Sequence, residues 1–413
     1  MLDVSTPAEA KAWLADPGRS SACFNGLDLR VFDFEVVDLG GCVFAGCDLA
    51  PAAAAQAAQQ GAVLVPECAR VPFEVARKGV YRVPELYAGL KPGRPNARTR
   101  TFDYAAWSWF MDPETRQPRH LGVGDTLLAR THDTTLEHQL ARLIASLGRP
   151  VVGIMGGHDT PRTGPLFATV AELARRLTRK TFLILTGGGP SLMEAANLGA
   201  FLAPFADDTL ADALAILTTA PDTIGQDSRY GAEAWIETAC QVRSRLLGAW
   251  DGAEPDGAIN LGIPTWFYGH EPPNLFATHI AKLFYNSLRE DGLVTTADAG
   301  IVFGPGHAGT VQEIFQDANQ NYYRPASTEP TPMILLGKAF WDLPVRDVPD
   351  RVGRAKPLAP LLKELAQEKG PPDAFGGVVL RTDDPDEIVA MLEKTATEKS
   401  APRRADLWKK RMC

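Results

Sequence analysis

The chain has 413 residues, a length that predicts two or three domains because single hydrophobic cores stop growing at roughly 250–300 residues. Its composition, 45% hydrophobic and 22% charged with 37 glycines and 32 prolines, excludes the disordered, collagenous and disulfide-scaffold classes. The 42 basic and 50 acidic residues give a net charge of −8, which argues against a general nucleic-acid-binding surface and leaves room for a local anion pocket.

The first residues, MLDVSTPAEAKAWLADPGRS, contain no basic segment followed by an apolar run, and no apolar stretch reaches the roughly 18 residues of a membrane span. We therefore expect no signal peptide, no contact with a membrane and a cytoplasmic location. The six cysteines form no C-x-x-C pair and the histidines do not cluster at ligand spacing, so we also expect no metal site and no redox dithiol.

In the segment 23–49 an apolar residue recurs at every fifth position. Repeats of this kind bury their faces only when several coils stack, and the run is long enough for little more than one coil. Two interpretations stay open, a small pentapeptide-like accessory element packed on another part of the chain and a chance β-meander. The alanine-rich stretch before Gly61 predicts a helix. The apolar residues five apart are Phe24, Leu29, Phe34, Leu39, Phe44 and Leu49.

Residues 84–118 are rich in proline, glycine, arginine and aromatic residues and form either a linker or an irregular part of an accessory domain over 1–130. Leucines at helical spacing before Gly148 predict a helix over 131–147. From residue 150 apolar strands alternate with helices, which predicts a Rossmann-like, doubly wound parallel sheet in an α/β domain over 131–398. The basic residues 399–413 form a solvated tail or, alternatively, an anion patch. The predicted strands are 151–155, 181–186, 299–303, 331–336 and 377–382, and the predicted helices are 166–178, 191–201, 311–323 and 384–399.

Three glycine-rich loops follow predicted strands, at 156–164, 187–190 and 304–310. The carboxyl ends of parallel strands bind ligands, and glycines let backbone N–H groups at a helix start approach an anion. Together they predict a phosphate-bearing ligand, although each glycine cluster alone also suits a tight turn. The third loop matches G-x-G-x-x-G, but it comes late in the sheet and the next strand runs into Gly337 rather than an acidic residue, which disfavours a dinucleotide site.

The segments TGGGPSLMEAANLGA (186–200) and PGHAGTVQE (305–313) resemble the two signature loops of the Lonely Guy family, whose second motif is P-G-G-x-G-T-x-x-E. With MGGH (155–158) and EPPN (271–274), their order is similar to that of the long bacterial members, the nucleotide 5′-monophosphate nucleosidases. The resemblance covers roughly 150–395. It implies hydrolysis of a nucleoside 5′-monophosphate to free base and ribose 5-phosphate, by a homodimer or larger assembly.

The resemblance places the catalytic pair at Arg289, nine residues before Asp298, and at Glu313, which closes the second motif. Glu313 would stabilise the ribosyl cation and activate the attacking water, and Arg289 would fix the ligand or stabilise the departing charge. This scheme requires no metal or organic cofactor. His307 replaces a motif glycine and either crowds the phosphate or donates a hydrogen bond to it. The residues predicted to bind substrate are Gly156, Gly157, His158, Gly187, Gly188, Gly189, Ser191, Met193, Glu194, Asn274, Gly306, His307, Ala308, Gly309 and Thr310.

Purely structural interpretations compete with these assignments. Thr310 and Glu313 fit a T-x-x-E capping box, and Ser191 with Glu194 fits another. Arg289 would lie in the last turn of a helix from Phe276, where a cation suits the dipole. The alternative function is a nucleotide-binding sensor or carrier of the same fold without turnover. Base preference is not assigned, because the segment 204–266 has no predicted element.

Overall fold

A computed structural model describes residues 1–220, 228–268, 271–325, 328–342, 356–368, 370 and 375–398. Two parallel sheets, of four and seven strands, organise these residues, and helices connect and cover the strands. The architecture confirms the predicted doubly wound α/β fold with a small amino-terminal accessory element. Among the helices of the described ranges, none combines the length and the apolar character needed to cross a bilayer.

The amino-terminal sheet is a stack of parallel coils. Each strand residue pairs with one twenty positions later, as Leu2 does with Ala22 and Val43 with Val63, so one coil holds four of the five-residue periods. The β-meander interpretation is wrong, since a meander is antiparallel. At twenty residues per coil the segment 23–49 makes little more than one coil, as expected. The stack extends beyond this segment because helices α1 (Pro7–Ala15) and α2 (Pro51–Gln59) form coil sides that lack the period. The strands are β1 (Leu2–Val4), β2 (Ala22–Asn25), β3 (Val43–Ala45) and β4 (Val63–Val65).

Aromatic rings fill the centre of the coil. Phe24 and Phe44 stack with their centroids 4.8 Å apart, and Phe34 meets the edge of both. The side chain of Glu9 also caps α1 and accepts from Arg142 at 2.9 Å, which ties the coil to the α/β domain. The period of five is therefore the sequence signature of an apolar column inside the coil.

The segment after the coil packs into the same apolar core as the seven-stranded sheet, with Trp107 and Phe110 among its buried side chains. The helix predicted over 131–147 begins earlier, at Val123, and crosses the predicted domain boundary at 130/131. The division of the chain into domains stays a prediction. The helices are α3 (Val83–Leu86), α4 (Phe102–Phe110) and α5 (Val123–Leu147), with a 3₁₀ turn at Arg98–Arg100.

The seven-stranded sheet has the order β11-β10-β9-β5-β6-β7-β8, and all of its pairings are parallel. The order reverses between β5 and β9, where the connections leave in opposite directions and open a crevice at the carboxyl ends. Two short strands, β7 and β8, were not predicted. The strands are β5 (Val151–Met155), β6 (Leu183–Thr186), β7 (Leu261–Gly262), β8 (His279–Ile280), β9 (Gly300–Phe303), β10 (Met333–Leu336) and β11 (Val379–Thr382).

The helices predicted over 166–178, 191–201, 311–323 and 384–399 are present, and α8 and α9 lie in the unassigned segment. The helix predicted from Phe276 is wrong: the chain there forms β8, and α10 starts at Asn286. The N–H groups of Phe284 and Tyr285, just before the helix, donate to the Asp133 carboxylate. The helices are α6 (Pro165–Arg179), α7 (Leu192–Phe201), α8 (Thr209–Leu217), α9 (Ser228–Leu247), α10 (Asn286–Thr296), α11 (Ala308–Tyr323), α12 (Lys338–Trp341), α13 (Ala359–Gln367) and α14 (Pro385–Glu398), with 3₁₀ turns at Asp256–Ala258 and Gly376–Val378.

Candidate functional site

Two glycine-rich loops meet at the reversal of the sheet: loop 1 (156–164), after β5, and loop 3 (304–307), after β9. The N–H of Gly157 donates to the carbonyl of Pro305 at 2.9 Å. A Cβ at Gly306 would lie 2.8 Å from the nitrogen of Gly157 and against the hydroxyl of Thr310. Glycine is therefore required for the contact between the loops. Gly156 packs the same way, since a Cβ there would lie 2.7 Å from Leu192.

Loop 3 leads into α11 without a side-chain cap. The helix begins at Ala308 after His307, whose side chain makes no cap hydrogen bond. Ala308 and Gly309 are exposed in the first turn, and Thr310 is buried behind them. Uncapped N–H groups at a helix start retain the capacity to bind an anion. The predicted phosphate-binding residues are thus gathered at one helix N-terminus.

Loop 2 (187–191) follows β6 and is held from behind. Gly188 has a φ of 71°, a conformation that favours glycine. Asn274 is fully buried, and its backbone and side-chain nitrogens donate to the carbonyls of Gly188 and Gly189 at 2.8 and 3.0 Å. Its side-chain oxygen accepts from two backbone N–H groups. Asn274, predicted to contact substrate, is placed to shape the loop that would do so.

Loop 2 is also tied to loop 1. Ser191 has a φ of 67°, unusual for a residue with a side chain, and its hydroxyl donates to the carbonyl of Thr160 at 2.9 Å. Strain of this kind persists where the surroundings enforce it and often marks functional sites. The capping-box interpretation of Ser191 and Glu194 is wrong, because Ser191 makes no side-chain cap bond.

Glu194 instead belongs to a buried ion pair that sequence reasoning missed. Its carboxylate accepts from Arg162 of loop 1 and from the indole N–H of Trp235 on α9, at 3.0 and 2.9 Å. Arg162 also donates to Thr238 at 2.8 Å. The network fixes the start of α7 against loop 1. An arginine inside a Pro- and Gly-bearing loop after a strand is the sequence signal that could have identified Arg162.

The predicted catalytic pair is brought together. Glu313, on α11, is 6% exposed, and its Oε1 lies 3.4 Å from Nη1 of Arg289 on α10. The capping-box interpretation of Thr310 and Glu313 is wrong, since both residues lie inside the helix. The placement of Arg289 in a last turn is also wrong: it occupies the first turn of α10, where the helix dipole disfavours a cation. Capping of a helix end therefore accounts for neither Glu313 nor Arg289.

Glu313 is an unusual acid. Burial raises its pKa to about 7, negative Glu290 adds to the increase, and the Arg289 guanidinium opposes it. Such a group is partly ionised near neutral pH, the range in which a carboxyl group can transfer protons. Arg289 reaches loop 2 as well, because a Cβ at Gly187 would lie 2.6 Å from its Nη2 and 2.8 Å from the Met193 sulfur.

His307 does not lie free in the loop. Its Nε2 pairs with the carboxylate of Asp159, and the other Asp159 oxygen lies 3.3 Å from Nε2 of His158. All three side chains are partly exposed. Sequence reasoning did not select Asp159, which places negative charge beside the predicted phosphate loop. Over the described ranges, no group of three or more histidine, cysteine or acidic side chains is arranged to hold a metal ion.

Comparison with known proteins adds no family. No family model matches the chain, and no curated protein sequence matches it. Among solved structures it is similar to the molybdenum cofactor carrier protein of Chlamydomonas reinhardtii, at 14% identity and a TM-score of 0.34 over 60% of this chain and 99% of that one. It is similar to the molybdenum cofactor binding protein of Rippkaea orientalis (14%, TM-score 0.32, 60% and 96%) and to TM1055 (15%, TM-score 0.30, 59% and 99%). These similarities assign no function to this chain.

Proposed function

We propose that the protein hydrolyses the N-glycosidic bond of nucleoside 5′-monophosphates, releasing a free base and ribose 5-phosphate. The observation that carries the proposal is Glu313, a buried acid with a pKa of about 7 that lies 3.4 Å from Arg289 beside the glycine-rich loops. Burying a carboxyl group costs stability, and the cost is common where the group takes part in chemistry.

Cleavage builds positive charge on the ribose and negative charge on the base. In its ionised form Glu313 stabilises the sugar cation and accepts the proton of the attacking water, whose oxygen bonds to the anomeric carbon as the bond to the base breaks. Arg289 orients the nucleotide or stabilises the departing charge. Since ionised Glu313 is the active form, kcat/KM falls about tenfold per pH unit below a pKa near 7.

Loop 3 and the first turn of α11 bind the 5′-phosphate in this proposal, through backbone N–H groups and the hydroxyl of Thr310. Loop 2, with Met193, lines the nucleoside side. A phosphate held in this way needs no basic protein surface, so it is compatible with the net charge of −8. His307, oriented by Asp159, adds a donor at the edge of the phosphate site.

The second candidate is a nucleotide-binding sensor or carrier without turnover. The observation that favours it is His307, which stands where the resembling motif has glycine and pairs with Asp159, so that its side chain lies where it can crowd the phosphate and shift the nucleotide away from Glu313. The two candidates share a binding site and differ in bond cleavage.

The deciding experiment follows free base by chromatography after incubation with AMP, GMP, CMP and UMP, and measures binding of the same nucleotides by calorimetry. Release of base supports the nucleosidase. Binding without release supports the carrier, and the absence of both overturns the two proposals together. An assembly of two or more copies is also proposed, and sedimentation equilibrium measures it.

A further inference from the structure

A second candidate binding site lies away from the crevice, at Arg98, the first residue of the 3₁₀ turn Arg98–Arg100. Arg98 is 8% exposed, and its buried Nη1 has no hydrogen-bond partner among the described residues. Burial lowers its pKa, yet a guanidinium keeps its charge in a protein. A buried donor without a hydrogen-bond partner costs stability, and native proteins rarely contain one.

Arg98 lines a cavity of about 260 Å³ between the segment 90–98 and helix α9. Arg94, from the same segment, also lines the cavity, and Glu233 and Glu237 come from the helix. Leu90, Pro92, Pro95 and Ile236 supply apolar wall. The cavity therefore combines two cations, two carboxylates and an apolar surface.

We propose that this cavity binds a small zwitterion of the α-amino acid class, with its carboxylate on Arg98 and its ammonium group on Glu233 and Glu237. The planar guanidinium matches a carboxylate through two parallel hydrogen bonds. A ligand with negative charge alone would be repelled by the two glutamates. The cavity volume of about 260 Å³ suits a small ligand.

The cavity is separate from the candidate active site, although both contact α9. Glu233, Ile236 and Glu237 lie on one face of the helix, whereas Trp235 and Thr238, on the opposite face, bond to Glu194 and Arg162. The proposal does not depend on nucleotide hydrolysis. It stands or fails by a binding measurement alone.

The experiment measures binding of each of the twenty standard L-amino acids to the full chain by calorimetry, with inorganic phosphate as the simple anion. The tightest amino acid is then compared with its deaminated acid and its decarboxylated amine. We expect an amino acid with an apolar side chain to bind, and each half-ligand to bind at least tenfold more weakly. Binding of phosphate in preference, equal binding of either half-ligand, or no binding overturns the proposal.

Arg98→Met and Glu237→Gln locate the site. Arg98→Met removes the guanidinium and its unsatisfied Nη1 at similar volume, so the variant is expected to fold and to bind at least tenfold more weakly. Glu237 is exposed, so Glu237→Gln keeps the fold and also weakens binding. Arg70→Met, at an exposed arginine outside the cavity, is the matched control and binds as the unaltered protein does. Unchanged binding by both site variants overturns the assignment.

Discussion

The two parallel sheets use their strands in opposite ways. In the coil, sheet order equals chain order, so every connection advances in one direction and no crevice opens between neighbouring strands. In the seven-stranded sheet the order reverses between β5 and β9, and the loops after these strands meet through Gly157 and Pro305. The comparison shows that a parallel sheet supplies a scaffold, and that a reversal of strand order supplies a site.

The interior of the coil and the crevice of the seven-stranded sheet also contain different kinds of side chain. Apolar rings fill the coil, as the stack of Phe24 on Phe44 shows. The crevice instead contains groups that cost stability, among them the positive φ of Ser191 and the buried carboxyl group of Glu313. Changes in the coil should therefore alter stability without altering chemistry, and changes in the crevice should alter chemistry.

The largest expected effect is on turnover. Glu313→Gln keeps the shape of the side chain and removes its charge, so kcat for nucleotide hydrolysis falls by about 10³–10⁴-fold. The matched control is Glu290→Gln, a change at the neighbouring carboxylate that bonds to Gln312 and Asn286, which lowers kcat less than tenfold. Equal rates for both variants would remove Glu313 from the mechanism.

The next effect is a loss of stability from a change in the coil, with no change in the chemistry of the crevice. Phe44→Ala deletes a ring that is 2% exposed and stacked on Phe24, at a cost of about 3–5 kcal/mol in the free energy of unfolding. Denaturant titration measures the loss, and kcat of the folded variant stays at its original value. A fall in kcat that parallels the loss of stability would contradict the separation of the two regions.

The third effect is a pH dependence of the free energy of unfolding that comes from Glu313 in the crevice. The pKa of Glu313 is about 7 in the folded chain and near 4.5 when it is unfolded, so the folded state binds the extra proton between these values. Protonated Glu313 therefore stabilises the fold fully below pH 4.5, and this contribution to the free energy of unfolding is lost as the pH rises through 7. Relative to Glu313→Gln, the unaltered protein therefore loses roughly 3 kcal/mol between pH 4.5 and 8. Parallel pH profiles of the two proteins in denaturant titrations would refute this pKa.

The smallest effect tests the contact between loops 1 and 3. Gly306→Ala places a methyl group 2.8 Å from the nitrogen of Gly157, whereas a methyl group at Gly309 meets open space. We expect Gly306→Ala to weaken nucleotide binding about tenfold, because displacing the loop would cost about 1–2 kcal/mol. Gly309→Ala leaves the loop in place and should weaken nucleotide binding less. Calorimetry compares the two, and equal affinities would show that the loops need no close approach.

Periodic segments were predictable from the sequence, because each one carries its own pattern. The period of five, the helix α11 and the strands β5, β6 and β9 all follow from local spacing. The pairing of Glu313 with Arg289 was reached through the family resemblance rather than through spacing.

Long-range contacts decided the remaining features. The residues before α10 are held by Asp133, which lies far away in the sequence, and the partner of Glu194 is Arg162 on a separate loop. β7 and β8 have two residues each, which is too short for any period to show. His307 finds Asp159 only because the order of the strands reverses between their loops.

The twenty-residue offset of the coil sets a rule for how this part of the chain can change length. Leu2 pairs with Ala22, Cys23 with Val43 and Val43 with Val63, so a duplication of residues 22–41 would add one complete rung and leave every ring above and below in place. An insertion within β2 or β3 whose length is not a multiple of twenty would break this register and turn apolar side chains out of the column. The coil is thus a unit that can grow by gene duplication, while the length of the crevice loops is held by the contacts on both of their sides.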